Sequence, residues 1–176
     1  MILLKRDRIR SILLLLSLTT ASIIPTVALA LPEDNQAIIY LRADSADINQ
    51  AKHKGTFVGN VELDQGSTHL RSDKAFTLGD SNNKLIKAYA KGSPSTQAHY
   101  WSVVSDNKPE IHAWADTITY YPNKHLIELI GNAHVKQGEN SFKAPKIIYD
   151  TEKQHVTTQK SEKMRTTITI YPEKKT

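Results

Sequence analysis

The chain repeats itself at a constant offset of 72 residues, and that duplication limits what it can fold into. Ala43-Asp44 returns as Ala115-Asp116, Gly59-Asn60 as Gly131-Asn132, and Gln65-Gly66 as Gln137-Gly138. The stretch Phe57-Val58-Gly59-Asn60-Val61-Glu62-Leu63 aligns without a gap on Leu129-Ile130-Gly131-Asn132-Ala133-His134-Val135. A self-similar chain is usually built by stacking equivalent units against one another.

Each unit reads as strands. Apolar and polar residues alternate in short runs bounded by Gly, Asn, Asp and Pro, and no stretch sustains a 3.6-residue apolar period between helix caps. Leu85 to Ala90, Thr119 to Tyr121 and Thr166 to Tyr171 are further strand-like runs. Gln65-Gly66-Ser67 and Gln137-Gly138-Glu139-Asn140 have the composition of tight hairpin turns. The spacing predicts an all-β fold: a sandwich, a jelly roll or a roll of stacked hairpins. The mid-strand Gly59 and Gly131 predict a bulge or a close backbone approach. A small residue before Asp44, Asp73 or Asp116 suits a sheet corner, where the carboxylate bonds nearby amides.

The first thirty residues differ from the rest. Lys5, Arg6, Arg8 and Arg10 precede an apolar run from Ile12, Pro25 breaks it, and Ala28-Leu29-Ala30 offers small residues for cleavage. This layout predicts a secretory signal peptide over 1–30, cut after Ala30. The competing reading is a retained membrane anchor over Ser11 to Leu31. Residues 31–165 form one domain in this reading, with a last strand and basic tail over 166–176. Removing Met1–Ala30 takes away four basic residues and one acid, so the formal charge falls from +5 to +2. Such a balance gives little support for nucleic acid as a partner. With no cysteine in the chain, disulfides, thiolate metal sites and thiol nucleophiles are excluded.

No catalytic residue, cofactor or metal is expected. The seven histidines lack the spacing of a ligand set. Asp44, Asp73 and Asp116 recur with the repeat, which favours a structural corner over hydrolysis. No nucleophile elbow, phosphate loop or dinucleotide fingerprint is present. The basic residues Lys143, Lys146, Lys153, Lys160, Lys163 and Arg165 read as a solvated sheet face or as contacts to phosphate groups.

The repeated Ala-Asp strand end, the Phe-x-Gly-Asn-Val-x-Leu strand and the Gln-Gly turn resemble the OstA-like family of lipopolysaccharide export proteins. The resemblance spans most of Ile38 to Tyr149, and Ala88 to Pro94 is similar to the family's middle segment. It implies an open, twisted β-jelly roll of stacked antiparallel strands, periplasmic and non-enzymatic, with an apolar groove for the acyl chains of lipopolysaccharide. It also implies partners: an LptC-like inner-membrane protein, an LptD-like outer-membrane translocon and further copies of the chain joined head to tail. Family groove contacts fall on Ile39, Leu41 and Tyr120, with Ile118 on the same parity. A further family aromatic aligns near Gln97 or slips to Tyr100. The remaining inward apolar residues are Ile48, Phe57, Val61, Leu63, Leu129, Val135 and Phe142, for which plain core packing competes with ligand contact. An anchored LptC-like subunit of the same pathway and a lipid-free β adaptor are the alternatives.

Overall fold

A computed structural model describes residues 37–103, 107–153, 155–162 and 164–172. The expected signal peptide and the last four residues of the basic tail lie outside them. Twelve strands form one antiparallel sheet: β1 Ile39–Arg42, β2 Ser45–Asn49, β3 Lys54–Gln65, β4 Thr68–Gly79, β5 Leu85–Lys91, β6 Ala98–Ser102, β7 Ile111–Ala115, β8 Thr117–Tyr121, β9 Leu126–Gln137, β10 Asn140–Asp150, β11 His155–Gln159 and β12 Thr167–Thr169. The all-β expectation therefore holds. Helical structure among the described residues is confined to two 3-10 turns, Gln50–Lys52 and Pro122–Lys124.

The long hairpins β3–β4 and β9–β10 are the spines of the two units. Their two-residue turns put Gly66 and Gly138 at φ +56° and +57°, where a side chain would be strained. Each spine bends in the middle, so every long strand runs through two wings. In the first wing the strand order is β1-β3-β4-β6-β7-β9-β10-β12. In the second it is β2-β3-β4-β5-β8-β9-β10-β11. The units join at one seam, where β6 pairs β7 and β5 pairs β8.

Both bends have the same chemistry. The ladder skips Gly59-Asn60 between Val58 and Val61, and skips Gly131-Asn132 between Ile130 and Ala133. All four residues are left-handed, at φ +78°, +45°, +81° and +48°. Glycine adopts that region freely and asparagine tolerates it. The backbone N–H of Asp44 donates to the Gly59 carbonyl at 2.9 Å, and that of Asp116 to Gly131 at 3.0 Å. Asn60 Nδ2 donates to the Asp44 carboxylate at 3.0 Å, and Asn132 Nδ2 to that of Asp116 at 3.1 Å. A Cβ on either glycine would strike the carboxylate. Bulge and close approach are thus one feature, and the duplicated Ala-Asp and Gly-Asn motifs are its two halves. Asp73, expected at a corner as well, faces the first bulge but makes no side-chain bond among the described residues.

The alanines make the bend possible. Ala98, Ala115, Ala133 and Ala144 are all fully buried around the second corner, where larger side chains would hold the wings apart. Ala90, Ala113, Ile118, Leu129 and Ile147 complete that cluster, while Phe57, Val61 and Ala75 form a smaller one at the first corner.

Gly131→Ala should cost about 2–4 kcal/mol, from left-handed strain plus displacement of the carboxylate. In an Asp116→Ala background the same change should cost about 1 kcal/mol, because only the backbone strain remains. Denaturant melts of the four proteins test this; equal costs in both backgrounds would rule out the carboxylate contact.

Candidate functional site

Strand alternation gives each wing an inner and an outer face. On the inner face of the first wing, one row runs Leu41, Leu63, Leu70, Tyr100, Ala113, Val135, Phe142, Ile168 across eight strands. On the second wing, Ala46, Phe57, Ala75, Ala90, Ile118, Leu129 and Ile147 form one row. Beside it run Ile48, Gly55, Thr77, Ala88, Tyr120, Ile127, Tyr149 and Val156. Leu70, Tyr100, Val135 and Phe142 of the first wing pack on the cluster holding Ile118 and Leu129 of the second, so the two inner faces oppose each other.

All eleven residues expected to line a groove fall on these faces, but they differ in access. Phe57, Val61, Ile118 and Leu129 are buried under their own neighbours. Leu63, Val135 and Phe142 are half-buried. Ile39, Leu41, Ile48 and Tyr120 are 57, 36, 65 and 40 % exposed, unusual for large apolar side chains. Three of those four lie on β1 and β2. The two units also differ in how they are filled: Gly55 and Thr77 of the first stand where the second has Ile127 and Tyr149. The small pair leaves a cavity of about 240 Å³ whose lining includes Ile48, Phe57 and Leu85. The aromatic left between Gln97 and Tyr100 is Tyr100, on the inner face. Gln97 instead ties the β5–β6 loop to the second corner, its Nε2 donating to Asp116 Oδ1 at 3.2 Å and to the Asn132 carbonyl at 3.1 Å.

The outer face of the first wing carries a feature that sequence reading missed. Two rows cross the sheet there: Asp64, His69, Trp101, His112, Lys136 and, two residues along, Glu62, Arg71, His99, Trp114, His134, Lys143. Their rings stack within and across strands, with His99 4.6 Å from both Trp101 and Trp114, and Trp114 5.2 Å from His134. The Arg71 guanidinium lies 5.2 Å from the Trp101 ring centre. The only available signal was the outward parity of two tryptophans in strands whose apolar partners point inward.

The charges in this ladder are fixed. His69 bonds Asp64 at 2.8 Å, and with Arg71 and Arg42 it holds the Asp64 carboxyl down to about 2. His99 Nε2 lies 3.1 Å from His112 Nδ1. Burial, then the charges of His112 and Arg71, push the His99 imidazole down to about 4, so it is neutral near pH 7. Among the described residues no third His, Cys, Asp or Glu joins the two histidines in a metal-ligand set.

Between pH 6.5 and about 4 the unfolded chain binds a proton at position 99 that the folded chain refuses. Stability should therefore fall as pH drops through that window. His99→Gln should flatten the fall in melting temperature between pH 7 and 4.5; an unchanged slope would assign the acid sensitivity elsewhere.

A duplicated antiparallel sheet, bent into two wings with an apolar interior and unpaired strands at both ends, is an open β-jelly roll of the OstA-like class. The chain belongs to the family described as LptA/(LptD N-terminal domain) LPS transport proteins, whose model matches residues 40–155. It is 33 % identical over 137 residues to the lipopolysaccharide export system protein LptH of Pseudomonas aeruginosa, covering 78 % of this chain and 77 % of that one. It is 26 % identical over 171 residues to LptA of Escherichia coli K12, covering 96 % and 88 %. The crystal structure of Pseudomonas aeruginosa LptH superposes with a TM-score of 0.69 at 28 % identity, over 80 % of this chain and 100 % of that one.

Proposed function

We propose that this chain is a non-enzymatic periplasmic carrier that holds the acyl chains of lipopolysaccharide between its wings and passes them toward the outer membrane. The observation that carries the reading is the largely apolar inner face, accessible at Ile39, Leu41, Ile48 and Tyr120. Acyl chains need such a lining, since each methylene removed from water contributes about 0.8 kcal/mol. The buried members Phe57, Val61, Ile118 and Leu129 would meet the ligand only if the wings part. The LptH relative is described as a periplasmic component of a lipopolysaccharide transport device, which supports the compartment and the cargo. Cleavage of 1–30 after Ala30 belongs to the same reading. The chain's neighbours in it are an LptC-like protein, an LptD-like translocon and other copies of itself.

A photoreactive residue in place of Tyr120 should yield a lipopolysaccharide adduct in cells, while one in place of Tyr89 should not. These tyrosines lie on adjacent paired strands but point to opposite faces. Adducts at both positions, or at neither, would defeat the reading.

The seam inside the chain supplies a template for joining copies. β6 and β7 pair Trp101 with His112. Relative to the spine, β12 stands where β6 does: Tyr100 faces Leu70 and Ile168 faces Phe142. β1 stands where β7 does. Copying the seam sets Thr169 of one copy opposite Tyr40 of the next, and Ile168 opposite Leu41. Antiparallel partners lie about 4.5–5.5 Å apart at Cα, within disulfide range. In this cysteine-free chain, a Tyr40→Cys copy mixed with a Thr169→Cys copy should form a heterodimeric disulfide. A Tyr40→Cys copy mixed with an Ile168→Cys copy, one residue out of register, should not. Equal yields from the two mixtures would discard this register.

A further inference from the structure

The duplication has one broken member. At the second corner Gln97 donates to the Asp116 carboxylate and to the carbonyls of Gly131 and Asn132, closing the seam between the units. The Gly92 N–H donates to the Asp116 carbonyl at 3.0 Å beside it. The first corner has no such visitor. Among the described residues, Asp44 receives side-chain bonds from Asn60 alone. Ala43 before it is part-exposed, whereas Ala115 is fully buried.

The residue built to make that visit is on the other end of the molecule. The register that equates β5 with β11 and β6 with β12 shifts by 68 residues, because Ala75 faces Ala90 as Ile147 faces Thr158, and Leu70 faces Tyr100 as Phe142 faces Ile168. By that shift Gln97 corresponds to Arg165. The serines that open the loops before them bond alike. Ser93 Oγ accepts from the Thr96 N–H at 3.1 Å, and Ser161 Oγ accepts from the Met164 N–H at 3.2 Å. Arg165 is exposed and makes no hydrogen bond or ion pair among the described residues.

We propose that Arg165 of one copy binds the Asp44–Gly59–Asn60 corner of the next, as Gln97 binds the Asp116–Gly131–Asn132 corner within the chain. This rests on the end-to-end reading and names the contact that selects the partner. The guanidinium meets a carboxylate and two carbonyl oxygens, all acceptors, and brings a positive charge that Gln97 lacks. At the inner seam, formed once on folding, the carboxylate meets the neutral Gln97 amide. The outer seam joins separate molecules and is charged, so it discriminates between ends and responds to salt.

Sedimentation of the whole mature chain tests the pairing, with circular dichroism melts as the check on folding. Arg165→Asp should weaken self-association about tenfold with an unchanged melting temperature. Asp44→Arg should weaken association as much, with a lower melting temperature from its own corner, and the chain carrying both reversals should regain part of the lost association. Arg165→Gln, a copy of the inner seam, should still associate but with a shallower salt dependence. Because Asp44→Arg also touches its own corner, mixing it with the Arg165→Asp chain provides a second route: this mixture should associate more tightly than either variant alone. If copies join in the Tyr40–Thr169 register yet Arg165→Asp has no effect, the corner contact is wrong and the end-to-end reading stands. If the unaltered chain does not associate at any concentration, both fall.

Discussion

The fold depends on a carboxylate filling the space where a side chain would be. Asp44 and Asp116 each sit against a glycine whose missing Cβ makes room for them, and each is held there by the next residue's amide. That arrangement fixes two left-handed residues in the middle of a long strand and so turns one sheet into two wings. Without it the 12-residue strands β3 and β9 would run straight, and their apolar residues would face water. Buried alanines around the second corner then let the wings close.

From the bend follow two surfaces with opposite physics. The inner one is mainly aliphatic and aromatic, with Thr77 and, beside Ile39, Gln65 and Thr68 among its few polar members. Such a lining supports a chain that slides, since moving by one methylene exchanges one apolar contact for another. It also means that direction must come from outside the molecule. The outer surface of the first wing is stiff, with stacked rings and paired charges locking neighbouring strands. The small residues at the open end of the first unit and the filled space in the second grade the interior along its length.

Much of this was legible. The fixed spacing between Ala-Asp and Gly-Asn announced a corner and a bulge, and alternation together with the resemblance pointed to eleven residues that share the inner faces. What sequence could not supply was adjacency. That Asp44 touches Gly59 depends on β1 and β2 both pairing with β3. That His99 stacks on Trp114 depends on β6 meeting β7 across the unit boundary. Burial was hidden for the same reason: Ile118 and Tyr120 share a parity, but only Ile118 is covered by the other wing. Arg165 was read only as part of a basic surface, because the turn between β10 and β11 is shorter than its counterpart, so the offset changes from 72 to 68 and the match to Gln97 is out of phase.

The seam between β5–β6 and β7–β8 has one more consequence. In the proposed end-to-end assembly, the junction between chains would repeat the geometry of the junction within the chain, and the unit of construction would be half a molecule. Reach across a gap is then counted in half-molecules rather than in proteins. In that assembly, chains of two or four units would extend the same ribbon. Lengthening the ribbon requires no new surface, only another repetition of a corner the chain already contains twice.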